Sequence, residues 1–240
     1  MKNITLMGIL NTSPESFFDG KNVEISQQYV LNKAQQLLKE GASIIDIGGQ
    51  STRPGYSEIT AEEEIKRTAP FIKLLKQKTN AQISVDSYKF TVMKTALEEG
   101  ADIINDVSGL KDENLAKLAA GYTAKLVIMH NGTVKNLESV AEFFKIKIKQ
   151  AKNCGIEEKN LILDIGLGFG KEAAENWFLL ENIKYFEQFK LPLLVGASRK
   201  RFTGKTLENS LKAAGLAART NVPLILRVHE VKETKEFLNI

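Results

Sequence analysis

The stretch "AQISVDSYK", residues 81–89, contains the two features from which the fold can be inferred. It begins as a short apolar run with the β-branched residues Ile83 and Val85, which is typical of a buried strand. The run then ends on a carboxylate, Asp86, although an isolated charge is costly inside a protein. A fold in which the strand ends form a functional site would explain this charge.

Similar apolar runs recur along the chain and alternate with amphipathic segments. Eight runs are present, at residues 4–10, 43–49, 82–86, 102–106, 125–130, 160–166, 191–197 and 222–228. Helical spacing of apolar residues is found at 25–41, 60–77, 90–100, 113–121, 137–155, 173–189 and 207–220, with a closing helix at 231–240. Runs that are apolar on both faces indicate a parallel sheet covered by helices. The pattern predicts a single (β/α)8 TIM barrel over residues 1–240, with an open doubly wound sheet as the alternative.

Composition and charge limit the classes of function. Hydrophobic residues make up 43% and charged residues 26% of the sequence, which is typical of a globular protein. Cys154 is the only cysteine in the sequence, so we expect neither a disulfide framework nor a thiolate zinc site. The net charge of +4 comes from basic residues interleaved with glutamates, a pattern of solvated helix faces. We therefore expect a cytoplasmic protein that binds neither nucleic acid nor a membrane.

Polar residues stand at the ends of these apolar runs. In chain order they are Asn11, Asp46, Asp86, Asn105, Asp106, His130, Asp164, Lys200, Arg227 and His229. In a parallel barrel all of these ends meet at the C-terminal rim, where active sites are built. Asp and Ser residues after a strand also cap the next helix, and this alternative stays open for Asp106 and Ser87. Capping does not require Lys200, Arg227 or His229, so the whole ring predicts a binding site.

The chemistry of the ring suggests two kinds of ligand group. Acceptors come from Asp86, Asn105 and Asp164, which could bind a flat heterocycle that carries N–H and NH₂ groups. Donors for an anion such as a phosphate or pyrophosphate come from Arg53, Lys200, Arg227 and His229. Asn11 and Asp19 flank the first loop, where oxygen ligands could hold Mg²⁺ that keeps most of its waters.

Two glycine-containing stretches resemble nucleotide-binding loops but lack required residues. In "GLGFGK", residues 166–171, the next residue is Glu172 where a phosphate-binding loop needs Ser or Thr. In "RKRFTGKT", residues 199–206, Arg199 stands where the first glycine is needed. The glycines of the first stretch could let the backbone approach a planar ligand, with Phe169 stacked on it. The alternative is a tight turn with Phe169 packed in the core.

Eight motifs occur in the order, and on the strand ends, of one known family. They are "MGILNTSPESFFDG", "DIGGQSTRPG", "SVDSYK", "NDVSG", "MH", "LDIGLGFGK", "GASRK" and "RVHEV". Together they resemble the dihydropteroate synthase family of pterin-binding barrels over nearly the whole chain. The resemblance implies condensation of 6-hydroxymethyl-7,8-dihydropterin diphosphate with p-aminobenzoate, which yields 7,8-dihydropteroate and pyrophosphate. It also implies Mg²⁺, competition by sulfonamides and a homodimer formed through late barrel helices.

The resemblance assigns a role to each matching position. Residues implied to hold or flank the pterin are Asp86, Asn105, Asp164, Lys200, Met129 and Phe169. Those implied to anchor the diphosphate are Thr52, Arg227 and His229, and the implied Mg²⁺ ligands are Asn11 and Asp19. Loop residues implied to close over p-aminobenzoate are Arg53, Pro54 and Phe17.

The chain departs from the family pattern at three motif positions. Glu15 stands where Asp is usual, Gln50 where Glu is usual, and Ile165 where Pro commonly follows the aspartate. These changes affect loop closure and turn rigidity, and they leave each named position filled. Two other functions stay open on the sequence, a pterin-dependent methyltransferase and a non-catalytic pterin-binding barrel. The basic residues of "STRPG", "SRK" and "RVH" favour a diphosphate leaving group and therefore the synthase.

Overall fold

Eight parallel strands close into a barrel in chain order. The computed structural model describes residues 3–13, 25–50 and 58–240. The strands are β1 (Ile4–Asn11), β2 (Ile44–Gly48), β3 (Gln82–Asp86), β4 (Ile103–Asp106), β5 (Lys125–Met129), β6 (Leu161–Asp164), β7 (Leu193–Val195) and β8 (Leu224–Val228). Each strand pairs in parallel with its neighbours, and β8 pairs with β1. The (β/α)8 barrel is therefore confirmed, and the open doubly wound sheet is wrong.

Helices follow the strands on the outside of the barrel. They are α1 (Gln27–Glu40), α2 (Ala61–Lys78), α3 (Phe90–Glu98), α4 (Asn114–Gly121), α5 (Leu137–Asn153), α6 (Ala173–Glu181), α7 (Leu207–Ala217) and α8 (Val231–Leu238). Within the described part of the chain, no helix is long and apolar enough to cross a membrane.

Local sequence signals begin and end several of these helices. Ser26 and Thr60 precede α1 and α2, and each accepts a hydrogen bond from a backbone N–H of the first turn. Gly41 ends α1 in the left-handed conformation, with φ 117°. The continuous helix predicted for residues 173–189 is wrong, because α6 stops at Glu181 and a 3₁₀ helix follows. Asn182 lies at the break, where its side-chain amide donates to the Phe178 carbonyl, which also accepts from the Asn182 backbone amide.

A separate apolar layer fills the inside of the barrel. Its members are Met7, Ile44, Ile103, Val127, Ile162, Leu194 and Ile225, all of them buried. A larger cluster packs the outer face of the sheet against the helices. Side chains alternate along a strand, so the residue two positions after each member of the layer also faces inward, nearer the C-terminal rim. For four members that residue is polar, namely Asp46, Asn105, Asp164 and Arg227, and these four belong to a polar layer directly above the apolar one.

Candidate active site

The polar layer is organised around the Arg227 side chain. Its Nε lies 2.6 Å from Asp46 Oδ2, and its Nη2 lies 2.6 Å from Asp86 Oδ2. Asp46 is fully buried, and the Asn105 amide nitrogen is 3.4 Å from both of its carboxylate oxygens. One guanidinium from β8 therefore joins the carboxylates of β2 and β3 across the mouth of the barrel.

Burial and neighbouring charges shift the protonation of this group. Desolvation raises the pKa of Asp86 to about 6, opposed by Arg227 and reinforced by the Asp46 charge. Desolvation also works against the charge of Arg227, but the two carboxylates outweigh it and raise the pKa of the guanidinium. Arg227 therefore stays charged, whereas Asp86 titrates close to neutral pH.

Two buried acceptor atoms of this layer lack a hydrogen-bond partner among the described residues. They are Asp86 Oδ1 and Asn105 Oδ1, on side chains that are 9% and 2% exposed. Leaving such a group buried and unpaired costs about 1 to 3 kcal/mol. Since the two strands are neighbours, with Asp86 paired in register to Asn105, both acceptors are available to one ligand that brings N–H donors.

Asp164 and Lys200 extend the polar layer on the side of β6. Asp164 is buried and accepts a hydrogen bond from the Gly166 amide at 2.7 Å. Burial raises the pKa of Asp164, opposed chiefly by the Lys200 charge. Burial also disfavours the charged form of Lys200 and lowers its pKa to about 8, and the Asp164 carboxylate partly offsets this effect. The Lys200 ammonium donates to the Leu167 carbonyl and lies 4.3 Å from the centre of the Phe169 ring.

Phe169 belongs to the mouth of the barrel and not to the core. Its ring is half-buried and lies outside both hydrophobic clusters. The alternative in which this ring packs into the core is therefore wrong. The glycine-rich loop that carries it, residues 166–170, brings an aromatic face next to Lys200.

His229 lies at the end of β8 in contact with the segment that follows β7. Its Nδ1 is 2.9 Å from Ser198 Oγ, and the same hydroxyl is 3.0 Å from Glu230 Oε2. Glu230 also forms an ion pair with Arg199, next to Lys200 in the chain. The network ties the "GASRK" and "RVHEV" segments together and so sets where His229 and Lys200 stand relative to each other.

The structure brings most of the predicted site residues to one end of the barrel. They are Asn11, Asp86, Asn105, Met129, Asp164, Phe169, Lys200, Arg227 and His229, on strand ends or in the loops that follow them. Phe17, Asp19, Thr52, Arg53 and Pro54 lie outside the described residues, as does Glu15. The individual roles assigned to all of these positions stay predictions.

Three further polar residues stand at or just after strand ends, and they are Asp106, Ser87 and His130. Asp106 accepts hydrogen bonds from the amides of Ser108 and Leu110, at 2.8 and 2.7 Å, which agrees with a loop-stabilising role. Ser87 accepts one from the Lys89 amide at 3.3 Å, just before α3. Burial lowers the pKa of His130 to about 4, so this imidazole is neutral at physiological pH.

The substituted family positions Gln50 and Ile165 also find places in the structure. Gln50 Oε1 accepts from the Ile59 amide at 3.0 Å and from Lys89 Nζ at 2.9 Å. Ile165 is fully buried in the outer hydrophobic cluster. Both side chains are accommodated, Gln50 by hydrogen bonds and Ile165 by apolar packing.

Asp46 was not predicted as a site residue, although it stands in the ring of strand ends. The available signal was its spacing, two residues after the inward-facing Ile44. Arg227 was predicted to donate to an anion, apart from the acceptor residues. The structure instead places the guanidinium between two of the carboxylates.

Comparisons with known proteins show the family of this chain. A family model described as "Pterin binding enzyme" matches residues 7–234. The dihydropteroate synthases of Clostridium beijerinckii and Streptococcus pyogenes are each 38% identical to this chain. The alignments cover 95% and 99% of this chain, and 89% and 94% of the two relatives. The chain belongs to the dihydropteroate synthase family.

Solved structures of dihydropteroate synthases match over nearly all of the barrel. The Clostridium difficile enzyme, solved in the presence of pteroic acid, has a TM-score of 0.91 and 38% identity, covering 99% of this chain and 95% of that one. The Xanthomonas albilineans enzyme with 4-aminobenzoic acid has a TM-score of 0.91 and 35% identity, covering 99% and 91%. The Yersinia pestis enzyme in complex with a sulfonamide drug has a TM-score of 0.91 and 35% identity, covering 99% and 92%.

For this member of the dihydropteroate synthase family, we predict that Arg227→Ala lowers stability in a pH-dependent way. Removal of the guanidinium leaves Asp46 and Asp86 buried without their cation, which should cost about 3 to 5 kcal/mol of unfolding free energy at pH 8. The loss should be smaller at pH 5, because Asp86, with its pKa raised to about 6, then takes up a proton. Urea unfolding at both pH values tests this, with the exposed Arg219→Ala as the control. Equal losses at both pH values would contradict the prediction.

Proposed function

We propose that this chain is a dihydropteroate synthase, which condenses 6-hydroxymethyl-7,8-dihydropterin diphosphate with p-aminobenzoate and releases pyrophosphate. The observation that carries the proposal is the pair of buried, unpartnered acceptors, Asp86 Oδ1 and Asn105 Oδ1, at the mouth of a barrel of this family. A pterin edge carries ring N–H and NH₂ donors, which would satisfy both atoms. Relatives and solved structures that match the chain over nearly its whole length include dihydropteroate synthases.

The geometry suits the charges that develop in this reaction. The C–O bond between the pterin methylene and the diphosphate breaks, and a C–N bond to the amine forms. Positive charge grows on the pterin side, where the carboxylates of Asp86 and Asp164 stabilise it. Negative charge grows on the departing diphosphate, and His229, which follows β8, is the residue that we propose to meet it. The aromatic amine is already a nucleophile at neutral pH, so it needs positioning and not a general base.

Lys200 lies between the aromatic ring and one of the carboxylates of the site. Its ammonium lies near Phe169 and within the electrostatic reach of Asp164. A cation there can donate to a heteroatom of the pterin ring while its charge balances the nearby carboxylates. Arg227 likewise balances the charges of Asp86 and Asp46. It leaves Asp86 Oδ1 available to the ligand.

Mg²⁺ is part of the proposal, with Asn11 and Asp19 as its protein ligands. Asn11 supplies an amide oxygen at the end of β1, close to the Gly48 end of β2. Asp19 lies outside the described residues. Among the residues that are described, no three His, Cys, Asp or Glu side chains cluster in a metal-binding arrangement. In the proposal the hard cation would be held mainly by water and by phosphate oxygens, and it would supply positive charge to the leaving group.

Pyrophosphate release tests the proposed activity directly. Purified protein with Mg²⁺, 6-hydroxymethyl-7,8-dihydropterin diphosphate and p-aminobenzoate should release one pyrophosphate for each 7,8-dihydropteroate formed. Omission of p-aminobenzoate should abolish product formation, and a sulfonamide should compete with it. Folded protein that binds a pterin but forms no product would support the non-catalytic barrel. Methyl transfer from a methylated pterin would support the methyltransferase.

Lys200→Ala should reduce kcat/KM by the equivalent of about 2 to 4 kcal/mol, the scale of a lost charge-stabilising donor. Steady-state kinetics with both substrates measure the loss. The exposed Lys149→Ala serves as the matched control and should behave as the wild type. Near-native turnover of the Lys200 variant would show that Lys200 has no role in the reaction.

The pH profile of kcat/KM for the pterin substrate should be bell-shaped. Activity should rise through pH 6 as Asp86, with its pKa raised to about 6, ionises and becomes an acceptor. It should fall above pH 8 as Lys200, with its pKa lowered to about 8, loses its proton. Asp46→Asn should move the acidic limb to lower pH, because the Asp46 charge raises the pKa of Asp86. A profile that stays flat between pH 5 and 9 would argue against both assignments.

A further inference from the structure

Lys171, the last residue of the "LDIGLGFGK" motif, makes hydrogen bonds that have no part in the proposed reaction. Its Nζ donates to three backbone carbonyls: His130 at 2.8 Å, Gly166 at 2.8 Å and Phe169 at 3.1 Å. Two of these carbonyls belong to the turn at residues 166–170, and the third belongs to the segment after β5. The ammonium therefore lies inside the turn and joins it to the neighbouring strand end.

This arrangement of a cation is costly. Burial lowers the pKa of Lys171 to about 8, and the charges of Asp164 and Glu175 only partly offset it. Glu175 is occupied elsewhere, since its oxygens accept from the amides of Val134 and Glu172. No carboxylate of the described residues lies within ion-pair distance of Lys171. An ammonium satisfied by carbonyl oxygens alone organises backbone rather than neutralising a charge.

The turn around Lys171 contacts the mouth of the barrel at several points. The Gly166 amide donates to Asp164, the Leu167 carbonyl accepts from Lys200, and the Phe169 ring lies beneath the same ammonium. Gly166 has φ +66°, and a Cβ added there would lie 1.9 Å from the His130 carbonyl oxygen. The turn therefore packs closely against the His130 carbonyl, to which Lys171 also donates.

We propose that Lys171 is a positioning residue for the heterocycle site, which acts by holding the turn at residues 166–170 so that Phe169 and the Leu167 carbonyl meet Lys200. The inference rests on the proposed function, in which Phe169 and Lys200 contact the pterin. Without the ammonium, the Gly166 and Phe169 carbonyls keep only one long backbone hydrogen bond each, from the Phe169 amide at 3.2 Å and the Gly132 amide at 3.4 Å, and the turn should loosen. The change in the turn would then weaken binding of the pterin and not binding of p-aminobenzoate.

Lys171→Met tests the proposal through a difference between the two substrates. Affinity for 6-hydroxymethylpterin, measured by calorimetry, should fall by about tenfold or more, while KM for p-aminobenzoate stays within about twofold. The matched control is Lys184→Met, an exposed lysine that follows α6. Lys171→Gln, which keeps a shorter donor, should show a smaller loss in the same direction and replaces the Met variant should that one not fold. Unchanged pterin affinity in the folded variant would overturn the proposal, as would equal losses for both substrates.

A double-mutant cycle with Phe169→Ala tests whether Lys171 acts through the turn. When two side chains work through one structural element, their effects on pterin affinity do not add. The Lys171→Met/Phe169→Ala variant should therefore bind the pterin about as weakly as the weaker single variant. Additive losses would contradict positioning of Phe169 by Lys171. Wild-type protein that binds no pterin and releases no pyrophosphate would instead contradict the proposed function.

Discussion

Arg227 lies between two buried carboxylates, Asp46 and Asp86, which would repel each other at the mouth of the barrel without it. A buried ion pair of this kind seldom stabilises a fold more than apolar packing would, because each charge must be desolvated. Its value here is the state in which it leaves Asp86, with one oxygen bound by the guanidinium and the other available. The binding of a heterocycle and the stabilisation of its developing charge both depend on that state.

The apolar layer beneath explains why this group forms where it does. Ile44 and Ile225 fill the barrel, and the inward-facing residue two positions after each is Asp46 or Arg227. Because side chains alternate along a strand, the polar layer lies only two residues beyond the apolar layer on these strands. The rim then adds the loop contributions, with Lys200 after β7 and Phe169 after β6.

Much of this could be predicted from the sequence, because the strands are apolar on both faces and the helices between them are amphipathic. The same pattern placed Asp86, Asn105 and Asp164 on one rim without any knowledge of contacts. The partner of Arg227 could not be predicted, since Asp46 is 181 residues away in the chain and either role of an arginine suits the motif. Lys171 was equally hidden, because its partners are backbone carbonyls that carry no sequence signal. The end of α6 at Glu181 was not predicted either, because the apolar spacing continues into the 3₁₀ helix that follows.

A crystal structure of this chain with 6-hydroxymethylpterin would show whether Asp86 and Asn105 bind the heterocycle. We expect the ring at the C-terminal mouth of the barrel, with its N–H and NH₂ groups within about 3.2 Å of Asp86 Oδ1 and Asn105 Oδ1. Arg227 should remain bound to Asp46. A pterin bound elsewhere, or one bound at the mouth with both acceptors still unpaired, would contradict this role of Asp86 and Asn105.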